Sequence, residues 1–270
     1  MSKHVTRATI DDAVGVIYTR EQADDIVAAY PEHERDARAK GIPVLGSGRI
    51  FPMPQSEVSI DAFAVPEHWA QLGALDFGWD HPTAGVRLVW DRDPDIVYVT
   101  STYRVRQATP VIHAAALKPW GHWLPWAWPH DGYQHDKGGS GQELRQQYLD
   151  QGLNMLPEHA THVDGGTGVE AGLMAMLDRM QTGRLKVFSH LNDWFDEFNL
   201  YHRADGKVVK EYDDLMSATR YGIMMLRFAA TEPLDDDEDD YEYGSDRSAN
   251  AGYGYRPAAG LPCGVRQHRL

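Results

Sequence analysis

Between residues 67 and 230 the apolar positions change their period several times, and each change marks an element. Leu72 to Phe77 is a short apolar run with an Asp near its end. Val86 to Trp90 and Ile96 to Tyr103 are rich in β-formers. The turn residues Asp91-Arg92-Asp93-Pro94-Asp95 separate them, which predicts an antiparallel meander. Pro110 to Leu117 reads as a helix, Trp123 to Trp128 as an aromatic strand leading into His130-Asp131, Gly141 to Gln151 as a helix and Asn154 to Leu156 as a short strand. Val169, Leu173, Met176, Leu177 and Met180 fall at helical spacing. Lys186 to Phe188 predicts an edge strand, and Asp213 to Phe228 a final helix.

The order is three strands, helix, strand, helix, strand, then further helices. Three antiparallel strands followed by βα units predict an α/β fold, a mixed sheet with helices on both faces. That is the strand order of the ribonuclease H-like fold. Upstream, residues 1–66 mix short helical patterns, such as Glu21 to Tyr30, with turn-like Gly41-Ile42-Pro43 and Gly46-Ser47-Gly48. Residues 231–270 are acidic, then Gly- and Pro-containing, and read as a mobile tail.

Composition changes the picture in two places. The single cysteine, Cys263, excludes an intramolecular disulfide and a cysteine-built zinc site. No apolar run reaches the roughly 18 residues a membrane span needs, and no apolar signal region opens the chain. No membrane partner is expected. The formal net charge of -14 argues against a nucleic-acid partner. Part of that charge is local, in the run Asp235 to Asp240. A protein that collects divalent metals also needs clustered carboxylates.

Carboxylates do stand at element ends. Asp76 closes the first strand, Asp131 follows the fourth, and Asp213 and Asp214 open the last helix. Each alone has a plain structural reading: a turn Asp, an Asp-Gly turn, a helix cap. If the first and fourth strands are neighbours, Asp76 and Asp131 project together, and a helix crossing the sheet brings its N-terminal carboxylate to the same place. Such a cluster suits two divalent ions, Mg²⁺ or Mn²⁺, which clamp the attacking and leaving oxygens of a phosphodiester displacement. Asp214 shares a helical face with Ala218, Gly222 and Met225, so it is the first choice as ligand, with Asp213 as cap or supporting partner.

These segments resemble the large subunit of tailed-phage terminases. Asp76-Phe77-Gly78-Trp79-Asp80-His81-Pro82 looks like the family's first nuclease motif and Pro129-His130-Asp131-Gly132 like its second. Asp213-Asp214-Leu215-Met216-Ser217-Ala218-Thr219-Arg220-Tyr221 looks like the third. Pro31 to Arg38 and Gly41 to Pro52 resemble the connector between motor and nuclease domains. The resemblance implies a connector (1–66), a ribonuclease H-like nuclease domain (67–230) and double-stranded DNA as substrate, cut in the host cytoplasm. The full protein's partners would be a packaging ATPase domain, the portal and the small terminase subunit. No Gly-x-x-x-x-Gly-Lys-Ser/Thr phosphate loop is present, so the chain reads as a C-terminal fragment without the motor.

Other features have competing readings. Asp164-Gly165-Gly166-Thr167-Gly168 before a helix suits a phosphate cradle, as in actin-like or sugar-kinase phosphotransferases, or simply a turn capped by Thr167. Asp164 is also a candidate third acidic group, and His130 and His135 candidate supporting partners. Lys137, Arg145, Arg179, Arg184 and Lys186 are candidate DNA contacts or solvated surface. The Trp120, Trp123, Trp126 and Trp128 group reads as core. A non-enzymatic docking module for the portal or small subunit is the remaining alternative, and it has no use for carboxylates at strand ends.

Overall fold

The computed structural model describes residues 9–30, 35, 39, 48–135 and 141–233. The expectations for Lys137, for most of the stretch 31–47 and for the tail beyond residue 233 lie outside these residues. The N-terminal segment carries α1 (Arg20–Ala28), and the short helix α2 (Gln55–Val58) leads into β1 (Ser59–Ile60). Three long strands follow, β2 (Ala70–Asp76), β3 (Thr83–Asp91) and β4 (Ile96–Val105), then α3 (Pro110–Leu117) and β5 (Pro125–Ala127). After α4 (Leu144–Asp150) come β6 (Asn154–Met155), α5 (Val169–Gln181), β7 (Leu185–Phe188) and α6 (Asn192–Leu200). The small hairpin β8 (Arg203–Ala204) and β9 (Lys207–Val208) precedes α7 (Asp214–Met224).

Seven strands form one sheet in the order β1-β7-β4-β3-β2-β5-β6. β2, β3 and β4 are antiparallel, whereas β5 joins β2, β6 joins β5 and β7 joins β4 in parallel. This is the expected ribonuclease H-like arrangement. Strand alternation sorts the helices onto its two faces. On β2 and β3, Ala74 and Leu88 meet Gly222 of α7, while Leu75 and Gly85 lie beside Leu117 of α3. Trp126 and Trp128 are fully buried in the core, with Trp120 stacked on Trp126.

Three sequence expectations change. Lys186 to Phe188 is not an edge, because β1 pairs outside it, Ser59 with Val187 and Ile60 with Phe188. β1 has only two residues, too few to show a period. Phe51, Met53 and Val58 are buried in the same core as the sheet. Residues before position 67, assigned to a connector, thus contribute to it. The final helix ends at Met224 and is followed by a 3-10 turn, Leu226–Phe228.

Candidate active site

Asp76 follows Ala74 by two residues, so its side chain projects on the α7 face of β2. β5 pairs with β2 through Gly73–Trp126 and Ala74–Ala127, which makes the first and fourth strands of the sequence reading neighbours. The chain leaves β5 into a 3-10 turn, His130–Tyr133, that carries Asp131. Gly132 lies directly on Trp128, where an added Cβ would come within 2.3 Å of the ring, so this Asp-Gly turn is held by packing. α7 crosses β2 and β3 and starts with Asp213 as N-cap and Asp214 in its first turn. Tyr212, just before, has a left-handed backbone with φ of 56°, a sharp entry into the helix. Asp76, Asp131, Asp213 and Asp214 all line one cleft of about 510 Å³, together with His81, Arg106, Lys210, Arg220, Tyr201 and Tyr221.

The electrostatics follow from this gathering. Burial pushes the Asp76 carboxyl well above the usual range; Asp214, Asp213 and Asp131 push it further, and Arg220 opposes them. Asp213 is raised by burial and then by Asp214, against the pull of Lys210, His81 and Arg220. Both oxygens of Asp214 are engaged, one 3.1 Å from His81 Nδ1 and the other 3.2 Å from Arg104. Arg220 is buried, its guanidinium 4.3 Å from the Tyr221 ring centroid and its Nε without a hydrogen bond.

Asp213 caps nothing with its side chain. The first N–H groups of α7 go instead to Glu197 of α6, whose Oε2 accepts from Leu215 at 2.6 Å and from Met216 at 3.2 Å. Glu197 Oε1 lies 2.9 Å from Arg104 Nε, close enough for an ion pair but not aligned as a hydrogen bond. Burial raises the Glu197 carboxyl to about 8, against Arg104 and the two N–H donors. Among the described residues no three His, Cys, Asp or Glu side chains close to the spacing of a formed metal shell.

Other sequence candidates are placed elsewhere or spent on structure. Asp164 accepts from Gly166 N–H within its own loop, at 2.9 Å, and does not line the cleft. The α5 cap is Gly168, not Thr167. His130 packs against Tyr133 and His159, and His135 lies in a bridge to Glu143; neither lines the cleft. Arg145 lies over the Trp128 ring. Arg179 and Arg184 pair with Asp95, and Lys186 donates to the Glu57 carbonyl. Through the ladder Lys186–Tyr98–Val89–Gln71, Lys186 sits level with Gln71. That is five residues from Asp76, or about 17 Å along the strand, so Arg184 and Lys186 belong to the opposite end of the sheet.

The cations that do line the cleft, Arg106, Lys210 and Arg220, were not among the expected DNA contacts, and neither Arg104 nor Glu197 was singled out. Arg220 lies within the third motif. Glu197 left one signal, an acid among Trp194, Phe195 and Phe198 in a short amphipathic segment.

Residues 73–226 match the model of the family described as terminase RNaseH-like domain. The chain belongs to that family. Relatives of this terminase RNaseH-like domain include the large terminase subunit of Salmonella phage P22, 49% identical over 229 residues, or 84% of this chain and 45% of that protein. The large terminase subunit of Enterobacteria phage LP7 is 49% identical over 225 residues, 83% of this chain and 47% of that one. The chain thus spans about half the length of the curated relatives it matches. The solved nuclease domain of the P22 large terminase superposes with a TM-score of 0.64 at 48% identity, over 69% of this chain and 96% of that one. The large terminase of a thermophilic bacteriophage shares the fold, with a TM-score of 0.54 at 15% identity, over 82% of this chain and 55% of that one.

Proposed function

We propose that this terminase RNaseH-like domain is a divalent-metal-dependent endonuclease that hydrolyses double-stranded DNA, the nuclease part of a phage genome-packaging enzyme. The observation that carries the reading is the convergence of Asp76, Asp131, Asp213 and Asp214 on one cleft. Support comes from the P22 relative, whose solved domain is named a nuclease domain. The donor set fits the ion: an all-carboxylate cluster offers the oxygen ligands a hard cation takes. Asp76 is pressed by three like charges with Arg220 as the opposing cation, an imbalance that a bound cation relieves.

Asp76, Asp131, Asp214 and Asp213 are the residues that would hold two Mg²⁺ or Mn²⁺ ions. When bound, such ions acidify water and stabilise the charge of a departing 3′ oxygen. The chain's own residues do the rest. Arg106 and Lys210, on the cleft wall, draw a phosphodiester toward the carboxylates. Arg220 limits the repulsion among the acids. His81 and Arg104 hold Asp214 in place. Water adds to phosphorus and the P–O3′ bond breaks, leaving a 5′ phosphate and a 3′ hydroxyl.

For the whole protein we infer a packaging ATPase domain, a portal and a small terminase subunit as partners, in the host cytoplasm; the relatives' description as large subunits supports the small subunit. Among the described residues no helix is long and apolar enough to cross a membrane. The test is plasmid nicking and linearisation by the purified chain with Mn²⁺ or Mg²⁺. Cutting is expected to appear with the ion and vanish with chelator; cutting that survives thorough chelation overturns the reading.

A further inference from the structure

A helix start leaves its first N–H groups unpaired, and its own N-cap side chain ordinarily accepts them. In α7 that residue is Asp213, yet the acceptor is Glu197, eighteen residues before Leu215 and on another helix. Glu197 is 2% exposed. Burying a carboxylate there is costly unless it is paired and hydrogen-bonded. The N–H groups of Leu215 and Met216 and the positive end of the α7 dipole supply part of that compensation. Arg104 supplies the rest, placed between the two acids: Nε faces Glu197 and Nη2 faces Asp214.

Arg104 reaches this position because of a β-bulge. Arg87 pairs with Ser101 but Leu88 with Val99, so Thr100 is an extra residue in β4. An uninterrupted alternation from Val99 would put Ser101 and Tyr103 on the α7 face and Arg104 opposite. With Thr100 inserted, Arg104 stands across from Ala84 on the α7 side and Tyr103 turns to bond His113 on α3. A buried ion pair adds little net stability over an apolar pair of the same shape, so the main consequence of this arrangement is geometric.

We propose that Glu197 and Arg104 are positioning residues for the acidic cleft. Glu197 caps α7 from outside and so releases Asp213 from capping; Arg104 fixes the orientation of the Asp214 carboxylate. The inference rests on the reading of the cleft as a metal site.

The test is calorimetric titration of the purified chain with Mn²⁺ in the absence of DNA, beside thermal melts of the metal-free proteins. Glu197→Gln keeps an oxygen for the α7 N–H groups but turns an NH₂ toward Arg104, and it is compared with wild type above about pH 8, where Glu197 is charged. Arg104→Gln removes the bridge from the other side. Each is expected to weaken Mn²⁺ binding 10- to 100-fold, the range for residues that orient metal ligands. The double variant should be no weaker than the worse single, because both act through one path. Arg104→Lys, which reaches one acid at a time, should fall between wild type and Arg104→Gln. Cleavage should fall in parallel, in kcat rather than in KM for DNA.

Folded variants that bind Mn²⁺ within twofold of wild type overturn the proposal. So does tighter binding by Arg104→Gln, which would make Arg104 a competitor of the ion. Should Glu197→Gln fail to fold, the Arg104 series decides alone. Wild-type protein that takes up no Mn²⁺ strikes instead at the metal reading of the cleft.

Discussion

Asp76 shares the cleft with three like charges, Asp214, Asp213 and Asp131. Its carboxyl is raised by burial and by Asp214, Asp213 and Asp131, so the folded metal-free chain binds a proton that the unfolded chain has released. The stability tied to that proton is complete below the unfolded value of about 3.9 and is lost as pH rises through the folded value. Asp76→Asn should therefore match wild type in acid and melt higher as pH rises, provided no metal is present. A gain of about 1 kcal/mol corresponds to roughly 2–4 °C for a domain of this size. The same substitution should abolish cutting. A melt difference independent of pH would show that the like-charge pressure on Asp76 is relieved in some other way. Asp213→Asn and Asp214→Asn, compared by Mn²⁺ titration, decide which neighbour ligates. The helical wheel favours Asp214; the absence of a capping bond favours Asp213.

At the scale of the element, α7 is the part that brings the acids to the sheet. It presses on β2 and β3 at Gly222, where an added Cβ would stand 2.4 Å from Leu88 Cδ1 and 3.2 Å from the Ala74 Cβ. Leu88 can rotate away, but Ala74 belongs to the strand that carries Asp76 and has nowhere to move. Gly222→Ala should thus cost about 1–3 kcal/mol, the usual range for overpacking, although Ala is intrinsically the better helix former. Urea unfolding followed by circular dichroism measures it. A stabilised variant would mean that α7 lifts from the sheet at little cost. Thr219 ties α7 to α6 by accepting from Trp194 Nε1, while its own hydroxyl donates to the Leu215 carbonyl.

At the scale of the whole molecule, a net charge of -14 has to be reconciled with the polyanionic substrate proposed above. The cleft wall resolves it locally, since Arg106 and Lys210 face the same space as the carboxylates. DNA binding measured by fluorescence anisotropy across a salt series should weaken for Arg106→Ala and Lys210→Ala. The slope of log K against log salt should shrink by about 1 for each lost phosphate contact. Arg184→Ala, at the opposite end of the sheet and paired with Asp95 and Asp178, should leave both unchanged. Equal loss in all three would show that binding follows the overall charge of the chain and not a contact at the cleft.

The sequence by itself determined the strand order, the central helices and the positions of Asp76, Asp131 and the Asp213–Asp214 pair at element ends. Those features are written in local periods of two and 3.6 residues and in the turn residues between them, so they can be read without knowing what packs where. Only the tertiary structure decided the surroundings of the acids. The two-residue β1 is too short to have a period. The bulge at Thr100 exists only relative to the register of β3, and it alone turns Arg104 toward the cleft. Glu197 becomes a cap because α6 lies against the start of α7, a contact between segments with no mark of each other in the chain. Lys186, a candidate DNA contact on sequence alone, lies by the strand ladder about 17 Å along the sheet from Asp76, and Arg184 is two residues before it. Local pattern decides where a side chain sits on its own element, and register and packing decide what it faces.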